Sequence, residues 1–530
     1  FNMRLLIIFS TLIFTVTASD DSNDELPIGL TEEESSRLHE IYDMGRNTDP
    51  PPPPVRNVSE FERMRGVVIR YPFGISTSII SEMSENVTIY CLVASNQQSS
   101  ASNSMENGGV NMENVEFVIG STDSYWTRDY GPWWVVDGNR NMSIADFTYN
   151  RPRQNDNAAP LKMSEHLSVP YYASDIVHAG GNYMTDGLGI AASSDLVFEE
   201  NEIANEEVFQ LFENYYGVTT YHVLDDPNNT YIDHIDCWGK YLSPTKVLIR
   251  EVPPTHPQFD EIEETANYFA NSLNKWDEPW EVYRVWTPNN QPYTNSLILN
   301  EKVLVPITDI NWDDEALAVY QEALPGYEIL GFTGSWEGTD ALHCRIIGVP
   351  DLEMLQVFHN PINDYTEPGD SGYTVNIFVD DLSNLGIIQD SVKVFWKTFD
   401  MDSWLSSELL VLGMPSDSNA WSGYIPLMTD TTYIQYFLQA MDSSGRIEKS
   451  PLAGWHDFIA LPTDMCEQWL LGDLNNTGQS DVFDILLLSD RVASDNASGI
   501  CSESVSDINQ DDDVTVIDVI FLVNMILNPS

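Results

Sequence analysis

The stretch that decides the fold is residues 341–350, Ala341-Leu342-His343-Cys344-Arg345-Ile346-Ile347-Gly348-Val349-Pro350. A polar, glycine-rich run from Gly331 to Asp340 precedes this stretch, and the second half of the stretch itself is apolar. This pattern predicts a loop that delivers Cys344 to the start of a buried strand. Loop residues held by rigid elements often carry chemistry, so Cys344 is a candidate nucleophile. Simple packing of a buried cysteine is the alternative.

The net charge of the chain argues against one class of function. The 530 residues carry a net charge of −58, from 24 basic and 82 acidic side chains. Nucleic-acid binding needs a basic surface, so we expect no nucleic-acid partner. The charge favours solubility and attraction of cationic ligands, although a salt-adapted surface is the main explanation.

The first residues are typical of a secretory signal peptide. The expected start is Met3, followed by Arg4, an apolar run over residues 5–14 and small residues at positions 16–18. A positive start, a short apolar core and small residues indicate a signal peptide over residues 1–18. The run is too short to span a membrane, and no later segment is long enough. We therefore expect a soluble, exported protein without a membrane span.

Composition divides the remaining chain into four segments. Residues 19–56 form an acidic leader with prolines at 50–54, which predicts a stiff extended spacer. Residues 57–360 alternate short apolar strands with amphipathic helices, which indicates an α/β catalytic domain. Residues 361–462 show short strands without helical periodicity, which predicts an immunoglobulin-like β-sandwich. Residues 463–530 form a separate last segment.

Individual strands and helices are also expected. The strands predicted in the α/β domain are residues 66–71, 87–93, 246–250, 303–307 and 344–349. The helices predicted there are residues 203–216, 259–276 and 314–324. On the second helix one face carries Ile262, Ala266, Phe269, Ala270 and Leu273. The strands predicted in the sandwich are residues 375–379, 392–396, 424–427 and 433–441.

The last segment contains an internal repeat of an acidic loop followed by an apolar helix. The loops are residues 473–484 and 507–518, and apolar helices are expected at 485–488 and 519–527. Oxygen side chains at loop positions 1, 3, 5 and 12, with a carbonyl at 7, form the EF-hand arrangement for Ca²⁺. An acidic surface tail is the alternative. The candidate ligands are Asp473, Asn475, Thr477, Gln479, Asp484, Asp507, Asn509, Asp511, Asp513 and Asp518.

This repeat pair resembles a dockerin domain. The resemblance implies a small α-helical domain with structural Ca²⁺ and a cohesin-like protein partner.

The cysteine count leaves at least one thiol unpaired. The five cysteines are Cys91, Cys237, Cys344, Cys466 and Cys501. An odd number in an exported chain cannot be fully paired. We expect Cys91 in a buried strand, and Cys466 and Cys501 could pair with each other.

Upstream residues would complete a cysteine-based site. A thiol attacks as thiolate, which a neighbouring histidine or a cationic substrate makes accessible. His234 is the first candidate partner, and His343 is second because neighbours on a strand point to opposite faces. An extended His234-Ile235-Asp236 would place its first and third side chains on one face. A purely structural role for His234 is the alternative.

Two carboxylates suit a cationic substrate. Asp129 and Asp236 could hold a guanidinium by paired charge-assisted hydrogen bonds, and Trp126 offers a flat wall for stacking. A buried Arg128–Asp129 network is the alternative.

Five motifs, in their order and combined spacing, resemble those of the guanidino-modifying deiminases of the pentein superfamily. Within it, the secreted bacterial peptidylarginine deiminases, relatives of the agmatine deiminases, resemble the chain most. The resemblance covers about residues 58–360 and implies a five-bladed α/β propeller of ββαβ units with the site on its axis. The motifs are Trp126-x-Arg128-Asp129-x-Gly131-Pro132, Gly180-Gly181-Asn182, His234-x-Asp236, Asn295 and Leu342-His343-Cys344.

The resemblance also implies roles. Cys344 would attack the guanidinium carbon while Asp129 and Asp236 hold its nitrogens. His234 would protonate departing ammonia and then activate water, and Asn295 would orient the site. A covalent thiouronium intermediate would hydrolyse to citrulline, with no cofactor in catalysis.

The substrate class depends on Arg151 and Arg153. In the peptidylarginine type, matching arginines bind the free α-carboxylate of a C-terminal arginine, and Tyr231 and Ile232 resemble further contacts to its backbone. Agmatine has no carboxylate to pair with them. A structural salt-bridge role is the alternative. We therefore expect deimination of peptide or protein arginine. The alternatives are an agmatine or free-arginine deiminase, a cysteine protease and a cohesin-binding structural component.

Overall fold

A computed structural model describes residues 26–308, 311–362, 365–369, 371–411, 419–462, 470–475, 477–494, 505–511 and 513–527. The signal peptide expected at residues 1–18, and the pair Cys466 and Cys501, lie outside the described residues. The contacts divide the chain into two units, with the division between Met354 and Leu355. The first unit also takes in Leu382–Asn384 and Leu452–Gly454.

The described part of the first unit contains five sheets. Every sheet joins at least one antiparallel pair of strands to a parallel pair. In hydrogen-bonded order the strands are Arg56–Asn57, Trp134–Val136, Met142–Tyr149 and Tyr171–His178; Thr220–Leu224, Ile190–Ser194 and Met184–Thr185; Gly239–Tyr241, Lys246–Glu251 and Glu281–Trp286; Leu297–Leu299, Lys302–Ile307 and Glu328–Thr333; Ile347–Pro350, Met64–Arg70, Thr88–Val93 and Val115–Ile119.

Helices connect the parallel strands, because a parallel pair needs a crossover. Each sheet therefore repeats an antiparallel strand pair, a helical crossover and a parallel strand. The crossover helices are Thr77–Ser84, Gln98–Asn107, Gln154–Asn157, Ala159–Leu167, Leu196–Glu199, Asn205–Tyr216, Phe259–Asn271 and Asp313–Ala323. The expected α/β class is confirmed for this unit, whereas closure of the five sheets into a propeller stays a prediction.

The helix Phe259–Asn271 is shorter than expected. Ile262, Ala266 and Phe269 are buried on one face, as their helical spacing predicts. The predicted extension to residue 276 is wrong because Ser272 is extended and Leu273 bridges to Pro279. Leu273 lies beyond the helix and is exposed, and Ala270, although inside the helix, is exposed as well, so neither belongs to the buried face.

The strand expected at residues 344–349 begins later. Cys344 lies in a 3₁₀ turn, His343–Arg345, and the strand is Ile347–Pro350. Ile347 pairs with Val68 of the adjacent strand, so the turn is fixed at the edge of a buried sheet. The prediction of a loop before a buried strand is confirmed with that shift.

The leader carries two short helices, Glu32–Ser35 and His39–Met44. Thr31 and Glu34 form a reciprocal capping box at the first helix. The stretch around Pro50–Pro54 has no regular secondary structure, and residues 26–49 before it belong to the first unit.

The described part of the second unit contains two antiparallel sheets around one apolar core. Residues along Tyr373–Asp381 alternate between buried and exposed, as expected for one face on a core. Leu355–His359 belongs here, so the boundary expected after residue 360 lies earlier. Immunoglobulin-like topology stays a prediction. The sheets are, in order, Leu355–His359, Tyr373–Asp381, Ala420–Ile425 and Leu410–Val411; Leu405–Glu408, Lys393–Thr398, Thr432–Met441 and Ile447–Ser450, with His456–Ala460 paired to Thr432–Met441.

Two helices end the described chain, Val482–Ser494 and Val516–Leu527. Leu474, Leu488 and Leu522 are buried in the core between them. Both helices begin before the predicted starts. In the part of the chain that the structure describes, every helix is too short or too polar to cross a membrane.

Candidate active site

Cys344 is fully buried and is held by Asn295. The Oδ1 atom of Asn295 accepts hydrogen bonds from the backbone N–H groups of His343 (2.9 Å) and Cys344 (3.3 Å). Its Nδ2 donates to the thiol sulfur at 3.2 Å. One amide therefore fixes both the backbone of the 3₁₀ turn and the direction of the sulfur.

Four of the expected reactive side chains meet around Gly181. A Cβ atom on Gly181 would lie 2.6 Å from His234 Nδ1, 2.7 Å from Asp129 Oδ1 and 3.3 Å from Asp236 Oδ2. Cys344 Sγ lies 3.7 Å from the same oxygen of Asp236. Only glycine leaves this space open, so the Gly180–Asn182 turn shapes the site from its backbone side.

The loop that carries His234 and Asp236 is not the extended segment expected. Ile235–Cys237 form a 3₁₀ turn directly after His234. The side-chain oxygen of Asn182 accepts the N–H of Ile235 at 3.3 Å, which ties this turn to the glycine turn. The predicted extended conformation is therefore wrong, although the side chains of His234 and Asp236 do converge.

Several buried polar atoms of the site have no hydrogen-bond partner among the described residues. They are Asp129 Oδ1, both ring nitrogens of His234 and Trp126 Nε1. An unsatisfied buried polar group costs roughly 1–3 kcal/mol, so a group of them in one place requires an explanation, and a catalytic role is one. Carboxylate acceptors beside a neutral imidazole suit a ligand rich in N–H donors, as a guanidinium is.

Burial dominates the electrostatics. It lowers the pKa of His234 to about 4, although the charge of Asp236 opposes this. Burial also raises the pKa of the Cys344 thiol well above its usual range, and the charge of Asp236 raises it further. At neutral pH the ligand-free site therefore holds a thiol beside a neutral histidine. A bound cation would favour the thiolate.

The pKa values of the two carboxyl groups, Asp129 and Asp236, shift in opposite directions. Burial, reinforced by the charge of Asp236, raises the pKa of Asp129 well above its usual range. Burial acts in the same direction on Asp236, but the hydrogen bond and charge of His343 outweigh it, so this pKa is lowered. Asp236 is therefore the carboxylate that stays charged in the free protein.

Glu60 contacts His343 next to the reacting groups, and no motif in the sequence predicted it. His343 bridges two carboxylates, with Nδ1 2.7 Å from Asp236 Oδ2 and Nε2 2.7 Å from Glu60 Oε2. Glu60 also pairs with Arg128 (2.6 Å) and Lys240 (2.7 Å). The ion pair of Arg128 is thus with Glu60 and not with Asp129. Glu60 therefore holds the ring of His343 in place, and His343 in turn contacts Asp236.

The expected substrate-binding residues lie beside this cluster. Ile232 is buried in an apolar group with Trp126 and Cys344, whereas Tyr231 is 68% exposed. One face of Trp126 is occupied by the guanidinium of Arg153, 5.4 Å from the ring centroid. Arg151 is close enough to oppose protonation of His234 by its charge. Both arginines are buried.

The two acidic repeats have the same internal pattern of hydrogen bonds. The carboxylate of Asp484 accepts the N–H groups of Asn475 (3.2 Å) and Asp481 (2.7 Å). Asp518 accepts those of Asn509 (3.2 Å) and Thr515 (2.8 Å), the matching loop positions. The donor atoms are oxygens, as Ca²⁺ prefers. In the described ranges, however, no group of three or more Asp, Glu, His or Cys side chains is arranged to hold a metal.

Solved structures share the fold of the first unit. One of a candidate agmatine deiminase superposes with a TM-score of 0.52 at 18% identity, covering 58% of this chain and 99% of that one. One of a candidate arginine deiminase from Porphyromonas gingivalis gives 0.50 at 17% identity, covering 56% and 98%. The first unit therefore has the fold of these solved structures, which are named as deiminases.

The family follows from the sequence match. Residues 74–350 match the family described as Porphyromonas-type peptidyl-arginine deiminase, and the chain belongs to this family. A candidate agmatine deiminase of Yersinia pestis is 24% identical over an alignment of 282 positions, and the match covers 45% of this chain and 77% of that protein. The chain is therefore a deiminase whose relatives include proteins named for two different substrates.

Gly181→Ala is expected to lower kcat/KM by at least about 100-fold while the protein remains folded, because displacement of catalytic groups by about 1 Å costs that much. Ammonia release and thermal unfolding measure the two quantities. Gly239→Ala is the control, since its added methyl first meets Ile249 Cδ1 at 3.2 Å. Near-native turnover in Gly181→Ala would mean that the close approach is unimportant.

Proposed function

We propose that this chain hydrolyses the guanidinium of arginine in peptides or proteins to citrulline and ammonia, with C-terminal arginine preferred. The observation that carries the reaction is the convergence of Cys344, His234, Asp129 and Asp236 around the open space at Gly181. A thiol, an acid–base group and two carboxylates are what attack on a held guanidinium requires.

The reaction proceeds in two halves. Asp129 and Asp236 hold the guanidinium nitrogens, the Cys344 thiol passes its proton to His234, and the resulting thiolate forms a bond to the guanidinium carbon. His234 carries a proton to one nitrogen, which leaves as ammonia, so a thiouronium remains on the sulfur. Water then loses a proton to His234 and attacks the same carbon, and breakage of the C–S bond returns the thiol and releases citrulline. No cofactor is needed for this sequence.

The arginines beside the site favour a peptide over agmatine. Arg153 Nε donates to the carboxylate of Glu34 at 2.7 Å, and Arg151 Nε donates to the carbonyl of Ile28 at 3.2 Å. These two guanidinium groups therefore bind a carboxylate and a peptide carbonyl next to the reacting groups. A peptide that ends in arginine presents the same oxygen chemistry, whereas agmatine presents none.

Agmatine or free arginine is the second candidate substrate, because the relatives named above include agmatine deiminases. A cysteine protease is disfavoured by the carboxylates that flank the thiol, since acyl transfer needs hydrogen-bond donors for an oxyanion.

A peptide with a C-terminal arginine is expected to exceed its amide by roughly 10- to 100-fold in kcat/KM, because a charged hydrogen bond contributes about 1.5–3 kcal/mol. Arg151→Ala should shrink this ratio, since it removes one charge that the carboxylate meets. Citrulline formation from the acid, the amide and agmatine measures it. Equal rates for all three substrates would show that the enzyme does not recognise the C-terminal carboxylate of the substrate.

We also propose that the acidic repeats bind Ca²⁺ and a cohesin-like protein. The helices that follow the loops expose apolar side chains at matching positions, 34 residues apart in each pair. Such duplicated exposed apolar surface is typical of a protein-binding site. The residues are Val482, Phe483, Leu486, Leu487, Val516, Ile517, Ile520 and Phe521.

Ca²⁺ is expected to raise hydrogen-exchange protection across residues 473–527, whereas chelation should leave deimination unchanged. The reason is that the loops lie in the second unit and the reacting side chains in the first. Asp484→Asn with Asp518→Asn should abolish the protection. Unchanged exchange upon addition of Ca²⁺ would remove the calcium assignment.

A further inference from the structure

A segment of the leader, residues 26–34, lies across the candidate active site. Ile28 is 4% exposed and packs in the apolar group that contains Trp126, Ile232 and Cys344. The ring of Tyr231 lies so close to Gly29 that a Cβ there would be 2.8 Å from it. The chain therefore places a peptide against the residues expected to contact a substrate.

Both arginines of the site are engaged by this segment. Arg153 donates to the Glu34 carboxylate (2.7 Å) and to the carbonyls of Pro27 (2.7 Å) and Gly29 (3.0 Å). Arg151 donates to the carbonyl of Ile28. The Arg153–Glu34 pair is well shielded, with side chains 1% and 6% exposed. Glu34 thus presents to Arg153 the group that a C-terminal residue of a substrate would present.

The reacting groups are closed to solvent in this arrangement. Exposure is 0% for Cys344, 1% for His234 and Asp129, and 4% for Asp236. A peptidyl arginine must bring its guanidinium to these groups and its carboxylate to the arginines. It cannot do so while Ile28 and Glu34 hold the same side chains.

We propose that the surface formed by Trp126, Arg151, Arg153, Tyr231 and Ile232 is a peptide-binding groove and that residues 26–34 are its intramolecular occupant. Substrate and leader compete for it, so catalysis requires displacement of the leader. The competition for carboxylate binding rests on the proposed function, whereas occlusion of Cys344 does not.

Alkylation of Cys344 by iodoacetamide, mapped by mass spectrometry, tests the occlusion without deimination. In the full chain, Glu34→Gln, which removes a charged hydrogen bond to Arg153, should increase the rate at Cys344 by about tenfold or more. Ile28→Ser, which removes the burial of a whole apolar side chain, should increase it by a similar factor. Glu33→Gln is the matched control, because the Glu33 side chain is 82% exposed. Cys91, which is fully buried in a strand, reports unfolding in the same sample.

Selective labelling of Cys344 in the two variants, with Cys91 still protected, is the expected result. A synthetic peptide of residues 26–37 should reverse the increase, whereas a peptide with serine for Ile28 and glutamine for Glu34 should not. Labelling of Cys344 at the wild-type rate in both folded variants would overturn the proposal. Increased labelling without any citrulline formation would support occlusion of Cys344 by the leader. It would contradict the proposed deimination instead.

Discussion

Cys344→Ala is expected to abolish citrulline formation, by at least about 10⁴-fold, because removal of a nucleophile leaves only binding and positioning. Asn295 and Asp236 both lie within 3.7 Å of its sulfur, and no other described thiol has these partners together. Ammonia release and citrulline formation measure the loss. The thermal unfolding temperature should stay close to that of the wild type.

Cys91→Ala is the matched control. Its thiol is equally buried but lies in the strand Thr88–Val93, with its sulfur beside the carbonyl of Leu92. It should retain wild-type turnover. Citrulline formation by Cys344→Ala at the wild-type rate would show that Cys344 is not the nucleophile.

Asp236→Asn is expected to change two properties in opposite directions. It should lower kcat/KM by about 100-fold or more, because it removes a charged partner of the guanidinium. It should also make Cys344 of the substrate-free protein react faster with iodoacetamide below pH 9. Stopped assays with a C-terminal arginine peptide and mapped alkylation measure the two effects.

The opposite directions follow from the charge of Asp236. After burial, this charge is the main cause of the raised pKa of Cys344. The thiolate is the reactive form, and its fraction rises as pH passes upward through the thiol pKa. Loss of the charge lowers that pKa and moves the alkylation profile to lower pH. Asp233→Asn, on the same loop, should leave the profile in place. An unmoved profile in Asp236→Asn would contradict the electrostatic assignment.

The sequence predicted which side chains form the site better than it predicted their backbone. Cys344, His234, Asp129, Asp236 and Asn295 belong to motifs whose order is informative, and the structure brings them together. Both histidine-containing segments were expected to be extended. A 3₁₀ turn of three residues is too short to leave a periodic signal, so it could not be distinguished from a strand.

Two further features had no readable signal. Glu60 is one of 82 acidic residues, and only its burial beside Arg128, Lys240 and His343 distinguishes it. The leader is acidic and polar, which favours an exposed segment. Its contact with the site depends on single residues, Ile28 and Glu34, whose long-range partners cannot be inferred from local pattern.

Incubation of the protein with a peptide that ends in arginine distinguishes deimination of the peptide from the alternative reactions. Mass spectrometry of the peptide and an ammonia assay follow the same samples. We expect one citrulline for each ammonia released, at the C-terminal residue of the peptide. The peptide backbone should stay intact, and Cys344→Ala should form no product. An unchanged peptide under conditions in which agmatine is consumed, or cleavage of the peptide backbone, would contradict this expectation.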